Sequence, residues 1–234
     1  MKIKILLVLA IPLFIFACKK DSPVIEEPAI EKEDPLEYAK DSISYNIDGA
    51  TYSLARFSSF YSAGYEDPYA KVDSIVKNAY YISGNKDSVL YSRKYGIYND
   101  NAKVDVIFIK TYSKASILTE GIIVKPKNLI DLFTAGSRNY AIDFGRDNTQ
   151  NGIAISISDG FKTFGSESFY IPPQLSPDAQ KDSKFEITSL RKLKSGTYIL
   201  EAKFNATLFN AKSASKKLQN GYLRLVLSKY DLIF

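Results

Sequence analysis

The sequence contains no histidine and no tryptophan, and its only cysteine is Cys18. Without histidine there is no Ser-His-Asp or Cys-His catalysis and no His-ligated metal site. A single cysteine excludes a disulfide and an all-cysteine metal site within one chain. No phosphate-binding loop or dinucleotide fingerprint occurs, so neither a metal nor an organic cofactor is expected. Charge of one sign is also scarce. Lys and Arg number 31 against 26 Asp and Glu, a net charge of +5, and no block of five basic residues occurs. That pattern reads as a solvated surface of mixed sign. Its small positive excess over residues 41–234 would also suit acidic polysaccharide or lipid headgroups. No basic motif points to nucleic acid, which is not expected as a partner.

What is present begins with a targeting segment. Lys2 and Lys4 precede the apolar run 5–17 (ILLVLAIPLFIFA), the plan of a secretory signal. At ~1.5 Å per residue the run reaches about 20 Å, short of the ~30 Å hydrocarbon core, and Pro12 interrupts it. A short transmembrane anchor stopped by Lys19 and Lys20 is one alternative. Ordinary cleavage and release is another, although Ile15 stands where that route wants a small residue. Ile15-Phe16-Ala17-Cys18 instead resembles a lipobox, with Phe16 bulkier than usual. The resemblance implies a diacylglycerol thioether on Cys18, cleavage before it, and acylation of the new amino group. Several acyl chains at ~0.8 kcal/mol per buried methylene give stable anchoring. The segment 18–40 that follows holds three prolines and many charges, and reads as an acidic tether to a single domain over residues 41–234.

In that domain period-two alternation dominates. Ile153, Ile155 and Ile157 alternate with Ala154, Ser156 and Ser158 before Asp159-Gly160. Tyr198, Leu200, Ala202, Phe204, Ala206 and Leu208 share one face of a long segment, with Ile199, Glu201, Lys203, Asn205 and Thr207 opposite. Leu223, Leu225 and Leu227 follow Asn220-Gly221 in the same way. These are half-buried antiparallel strands. Asp48-Gly49 reads as the turn of an opening hairpin. Further strands are predicted over 74–83, 87–92, 103–110, 112–118, 138–143 and 184–189, the one at 103–110 being apolar on both faces and therefore central. One short helix is predicted near 128–135, capped by Asn128 and closed by Gly136. The expected class is all-β, an antiparallel sandwich or a barrel.

The lipobox, the Pro/Glu tether, the opening SISYNIDGATYSL and the C-terminal FEITSLRKLKSGTYILEAKFNATLF and LQNGYLRLVL resemble a group of small β-rich envelope lipoproteins from Bacteroidota that carry a domain of unknown function. The resemblance implies location in the cell envelope, anchored to the outer membrane, on either its surface or its periplasmic face. It supplies no catalytic residues. Asp41-Ser42-Ile43, Asp73-Ser74-Ile75 and Asp87-Ser88-Val89 look like the Asp-Ser-aliphatic sites at which exported proteins of that group are O-glycosylated. Lys19-Lys20-Asp21 resembles a surface-export signal, with fewer acids than is usual there.

Four patterns bear on chemistry. Ser189-Leu190-Arg191-Lys192 has the spacing of a penicillin-binding nucleophile, but it falls at a strand end without its companion motifs. Asp143, Asp147, Asn148 and Asn151 offer oxygens to calcium, but their spacing is not that of an EF-hand and Arg146 opposes a cation; the alternative is a turn. Paired carboxylates would hydrolyse a glycoside, but no pair is fixed by spacing. Tyr61, Tyr65 and Tyr69, Tyr80 and Tyr81, and Tyr91, Tyr95 and Tyr98 are candidate sugar- or partner-binding clusters, or else strand packing. The function expected is a non-enzymatic binding or structural role, toward a protein or a glycan. The alternative is a metal-independent polysaccharide hydrolase.

Overall fold

In the computed structural model, residues 33–228 are described, apart from 56–57, 67, 69–70, 78, 122 and 168–174; for 58–61, 71–76, 79–82 and 123 the description covers the backbone only. The expected targeting segment, Cys18 and the expected tether up to residue 32 lie outside the described residues. Among those described, no helix is long and apolar enough to cross a membrane.

Among the described residues, fourteen strands make up the regular structure, and helix is confined to short 3-10 turns. Strands β1 (Ser42–Ile47) and β2 (Ala50–Ala55) form the expected hairpin. Asp48 and Gly49 take φ of 51° and 80°, the left-handed angles that a two-residue turn between twisted strands requires. Then come β3 (Ser58–Glu66), β4 (Lys71–Val76), β5 (Ala79–Ser83), β6 (Ser88–Tyr98) and β7 (Lys103–Ser113). After them run β8 (Ile117–Glu120), β9 (Ile123–Pro126), β10 (Gly136–Arg138) and β11 (Gly152–Ile157). The chain closes with β12 (Lys184–Lys192), β13 (Tyr198–Phe209) and β14 (Ser215–Leu227).

Two antiparallel sheets pack face to face without closing into a barrel. One has six strands in the order β10-β12-β13-β14-β1-β2, the other four in the order β11-β7-β6-β3, while β4-β5 and β8-β9 are separate hairpins. The inward parity read from the sequence holds along β13: Leu200, Ala202, Phe204, Ala206 and Leu208 are buried together with Leu218, Leu223, Leu225 and Leu227 of β14. Opposite them lie Tyr91, Tyr95 and Ile97 of β6 and Val104, Val106 and Phe108 of β7. A chain of rings crosses the interface: Phe108 meets Phe133 at 5.1 Å and Phe185 at 6.2 Å, and Phe185 stacks on Phe204 at 5.6 Å. Such pairs add ~0.5–1.5 kcal/mol each beyond their burial.

Strand β7 is central, between β6 and β11. Its second face carries Ile107 and Ile109, which bury against Leu90, Ala141, Ala154 and Phe164 in a smaller second core. That covering explains why the strand is apolar on both sides. The seam between the sheets is stitched by backbone. Lys162 and Phe209 exchange N–H···O bonds of 2.9 and 2.8 Å, joining the turn after β11 to the end of β13.

Several expectations are corrected. The segment 74–83 is not one strand: it belongs to the β4-β5 hairpin, which turns at Lys77 with φ of 50°. Residues 112–118 divide between the end of β7, a 3-10 turn (Lys114–Ser116) and β8. Of 138–143, only Arg138 lies in a strand; Tyr140 bridges Ile153, and 142–147 is a turn. The strand that carries Leu223, Leu225 and Leu227 begins earlier than Asn220-Gly221, which lies within β14; there Gln219 and Asn220 together oppose Asn205, a bulge with Asn220 at φ 51°.

The helix predicted near 128–135 is a single 3-10 segment, Leu129–Phe133. The Asn128 side chain makes no capping bond to backbone; its amide donates to the Asp131 carboxylate at 2.7 Å. Leu129, Leu132 and Phe133 are nevertheless buried, so the apolar spacing was a packing signal over too few residues to propagate an α-helix.

Candidate functional site

The outward face of the six-stranded sheet carries a connected polar network. Glu201 on β13 lies between Ser189 on β12 and Tyr222 and Arg224 on β14. The Tyr222 hydroxyl donates to Oε1 of Glu201 at 2.5 Å, and Nε and Nη2 of Arg224 donate to the same oxygen at 3.2 and 3.0 Å. Ser189 Oγ donates to the other oxygen at 3.3 Å. Strand pairing places all four side chains, because Glu201 is opposite both Ser189 and Arg224 in the ladder.

The electrostatics follow from these bonds. Donation by Tyr222, with Arg224 and Ser189, holds the Glu201 carboxyl below its ordinary value despite partial desolvation. Burial and the bond to Glu201 push the Tyr222 phenol up. The hydrogen bond to Glu201 likewise raises Arg224. The three therefore sit in fixed charge states near neutrality.

Beside this network the β14 bulge opens a depression of about 420 Å³. Lys184 and Glu186 of β12, Lys203 and Asn205 of β13, and Asn220 and Tyr222 of β14 line it. Lys184 and Glu186 pair at 2.6 Å, and that bond holds the Glu186 carboxyl low. At its floor Gly221 lies against the buried Phe204 ring. The surface therefore offers one aromatic ring, amides, ammonium groups and a fixed carboxylate on rigid strands.

The Tyr clusters largely do not form such a surface. Tyr91 and Tyr95 are buried between the sheets, Tyr95 edge-on to Phe108 at 6.0 Å, so here the aromatic signal was strand packing. Tyr98 at 36% and Tyr65 at 56% exposure remain outside. Tyr69 lies outside the described residues, as do the side chains of Tyr61, Tyr80 and Tyr81. Sequence reasoning passed over Arg93, which is fully buried on the inward face of β6 with its guanidinium 5.9 Å from the Tyr95 ring. Its parity with Tyr91 and Tyr95 was the available signal.

The remaining candidates resolve into local structure. In the 143–151 turn the Asp143 carboxylate accepts from the N–H and hydroxyl of Thr149, both at 2.7 Å. Asn148 Oδ1 accepts from Gly145 N–H at 2.8 Å, and Asn151 Oδ1 from Thr111 N–H at 2.7 Å. The first two oxygens close the turn, and Asn151 ties its end to β7. Asp143 and Asp147 line a depression of about 190 Å³, where Asp147 lies 3.5 Å from Arg146. Ser189 gives its hydroxyl to Glu201 and Lys192 lies over Tyr198, so the nucleophile-like spacing is not a pair in space. The Ser88 hydroxyl is buried, and the Asp41 carboxylate accepts from Val226 N–H at 2.7 Å. Ser42 itself is half-buried on β1, and the side chain of Ser74 lies outside the described residues.

No family model, curated protein or solved structure matches the chain.

Proposed function

We propose that the chain is a lipid-anchored protein of the cell envelope that binds a glycan on the outward face of its six-stranded sheet without cleaving it. The observation that carries this reading is the Glu201–Tyr222–Arg224 network, preorganised beside a depression of about 420 Å³. Directional donors and acceptors around a Tyr ring match a sugar's hydroxyls and its apolar ring face. A protein partner would favour an apolar centre, which this face lacks.

The charge state of Glu201 argues against hydrolysis there. A general acid needs a carboxyl pKa raised toward neutrality, whereas donors hold this one low. Anchoring through Cys18 adds the setting: an exported domain on a tether meets polysaccharide before it meets any intracellular ligand.

The test is calorimetric titration of the protein with a panel of envelope and plant polysaccharides. One of them binds saturably, and Tyr222→Ala weakens it at least tenfold while the melting temperature stays near that of the parent. An affinity untouched by Tyr222→Ala would contradict the proposed face.

A further inference from the structure

A second depression, of about 350 Å³, opens at the end of the four-stranded sheet where β7 and β11 meet the 3-10 segment and β10. Two cations line it, Lys110 and Arg138, with Asp131, Asn139 and Asn151. Lys110 stands at the end of β7 with the parity of the core residues Val106 and Phe108, and its ammonium lies 5.2 Å from the centroid of the Tyr112 ring. Arg138 lies opposite the buried Phe185 in the β10-β12 ladder.

Both cations are half-buried, and neither has a carboxylate partner among the described residues. The Arg138 guanidinium is pinned instead by neutral oxygens: Nη1 donates to the Ser137 carbonyl at 3.1 Å, and Nη2 to the Thr134 carbonyl and, at 2.7 Å, to the Thr134 hydroxyl. Asp131 faces the same space, where its Oδ1 accepts from the Asn128 amide. Burial without a counter-charge pulls the Arg138 pKa below its ordinary value. With both Nη2 hydrogens given to Thr134, Nε–H and the second Nη1–H remain, and a guanidinium already held in place can donate them to an anion without further ordering of the side chain.

We infer that this mouth of the sandwich binds the carboxylate of an acidic sugar. Lys110 and Arg138 take the carboxylate, while Asp131 and the Asn139 and Asn151 side chains face the ring hydroxyls. The volume lies at the small end of ligand cavities, ~300–1,000 Å³, which suits one uronate residue and its linkage rather than a long chain. Asp131 gives the selectivity: its carboxylate repels a simple anion but accepts from a hydroxyl. The site is distinct from the sheet-face depression, since Arg138 shares the inward side of the ladder with Phe185 and Glu186 takes the outward one.

Galacturonate, glucose and acetate titrated into the protein test the assignment. Galacturonate binds, glucose does not, and acetate binds at least tenfold more weakly than galacturonate. Arg138→Gln and Lys110→Gln each weaken galacturonate about tenfold or more, and Tyr222→Ala leaves it unchanged. Higher salt weakens the binding because the cations carry it. Should Arg138→Gln fail to fold, Lys110→Gln decides alone. Equal affinity for acetate and galacturonate would reduce the site to a generic anion pocket and overturn the sugar assignment. Galacturonate binding that ignores Lys110→Gln, or no galacturonate binding at all, would overturn the site.

Discussion

The ring of Phe204 lies directly over Gly221: a Cβ built on Gly221 would come within 2.6 Å of the Phe204 ring and of its backbone oxygen. Gly221 does not have positive φ, so steric approach alone demands the glycine there. Gly221→Ala should therefore destabilise the fold by ~1–3 kcal/mol through overpacking. Phe204→Ala should cost ~3–5 kcal/mol through lost burial and a residual cavity. The double variant should cost less than the sum, since removing the ring relieves part of the clash. Denaturant melts of the three variants check this; strict additivity would mean that the two residues do not touch.

Ala202 and Lys203 test the strand itself. Ala202 is fully buried opposite Leu223, while Lys203 is exposed beside it. Ala202→Asp buries an unpaired charge and should cost more than ~4 kcal/mol, while Lys203→Ala should change stability by less than ~0.5 kcal/mol. Thermal or urea unfolding of the two variants measures the difference. Near-equal stabilities would contradict the inward assignment of β13.

Gln180 spans the seam between the sheets. Its amide donates to the carbonyls of Thr163 and Thr207, at 3.2 and 2.6 Å, and its oxygen accepts from Thr207 N–H at 3.1 Å. Gln180→Ala leaves these groups without their partner and should cost ~1–3 kcal/mol. Amide exchange at Thr207 should speed up in parallel. Exchange unchanged from the parent would show that the bond does not hold the seam.

The sign of the acid dependence at Glu201 is fixed by its lowered pKa. The native carboxylate is stabilised relative to the unfolded chain, so its contribution is full above the ordinary value of 4.5 and lost as pH falls through the lower folded value. The group is partly exposed, so solvent screens the effect and keeps it small. Glu201→Gln should be less stable than the parent near neutrality, with the gap narrowing below pH 4.5. Urea midpoints across that range measure it, and a gap that widened in acid would reverse the assignment.

The proposed export and anchoring, which would rest on Cys18, are tested by metabolic labelling with palmitate. Cys18→Ala should give unlabelled, unprocessed precursor. Mature, labelled protein from that variant would contradict the lipobox assignment.

These elements also show what could be read from the residues. The alternating faces of β13 were legible because a sheet with one buried face writes a period of two into the sequence. So was the centrality of β7, from an apolar run that needs cover on both sides. The bulge at Asn220-Gly221 was not legible, because a left-handed Asn followed by Gly serves a bulge as well as a turn, and only the partner strand distinguishes the two. The five-residue 3-10 segment misled for another reason: its apolar spacing over so short a span fits either helix type. The Glu201 network could not be read, since Ser189, Tyr222 and Arg224 converge through ladder registers shifted by bulges. Nor could Lys110 and Arg138 be read as neighbours, because the fold brings strands far apart in sequence to one mouth.

The central claim, a surface that binds glycan without cleaving it, is tested most directly by one incubation. The protein is mixed with the polysaccharide it binds best, and bound ligand and newly formed reducing ends are followed together. Binding should be saturable and lost in Tyr222→Ala, with reducing ends at the level of a protein-free control. Reducing ends that accumulate in proportion to protein and time would contradict it.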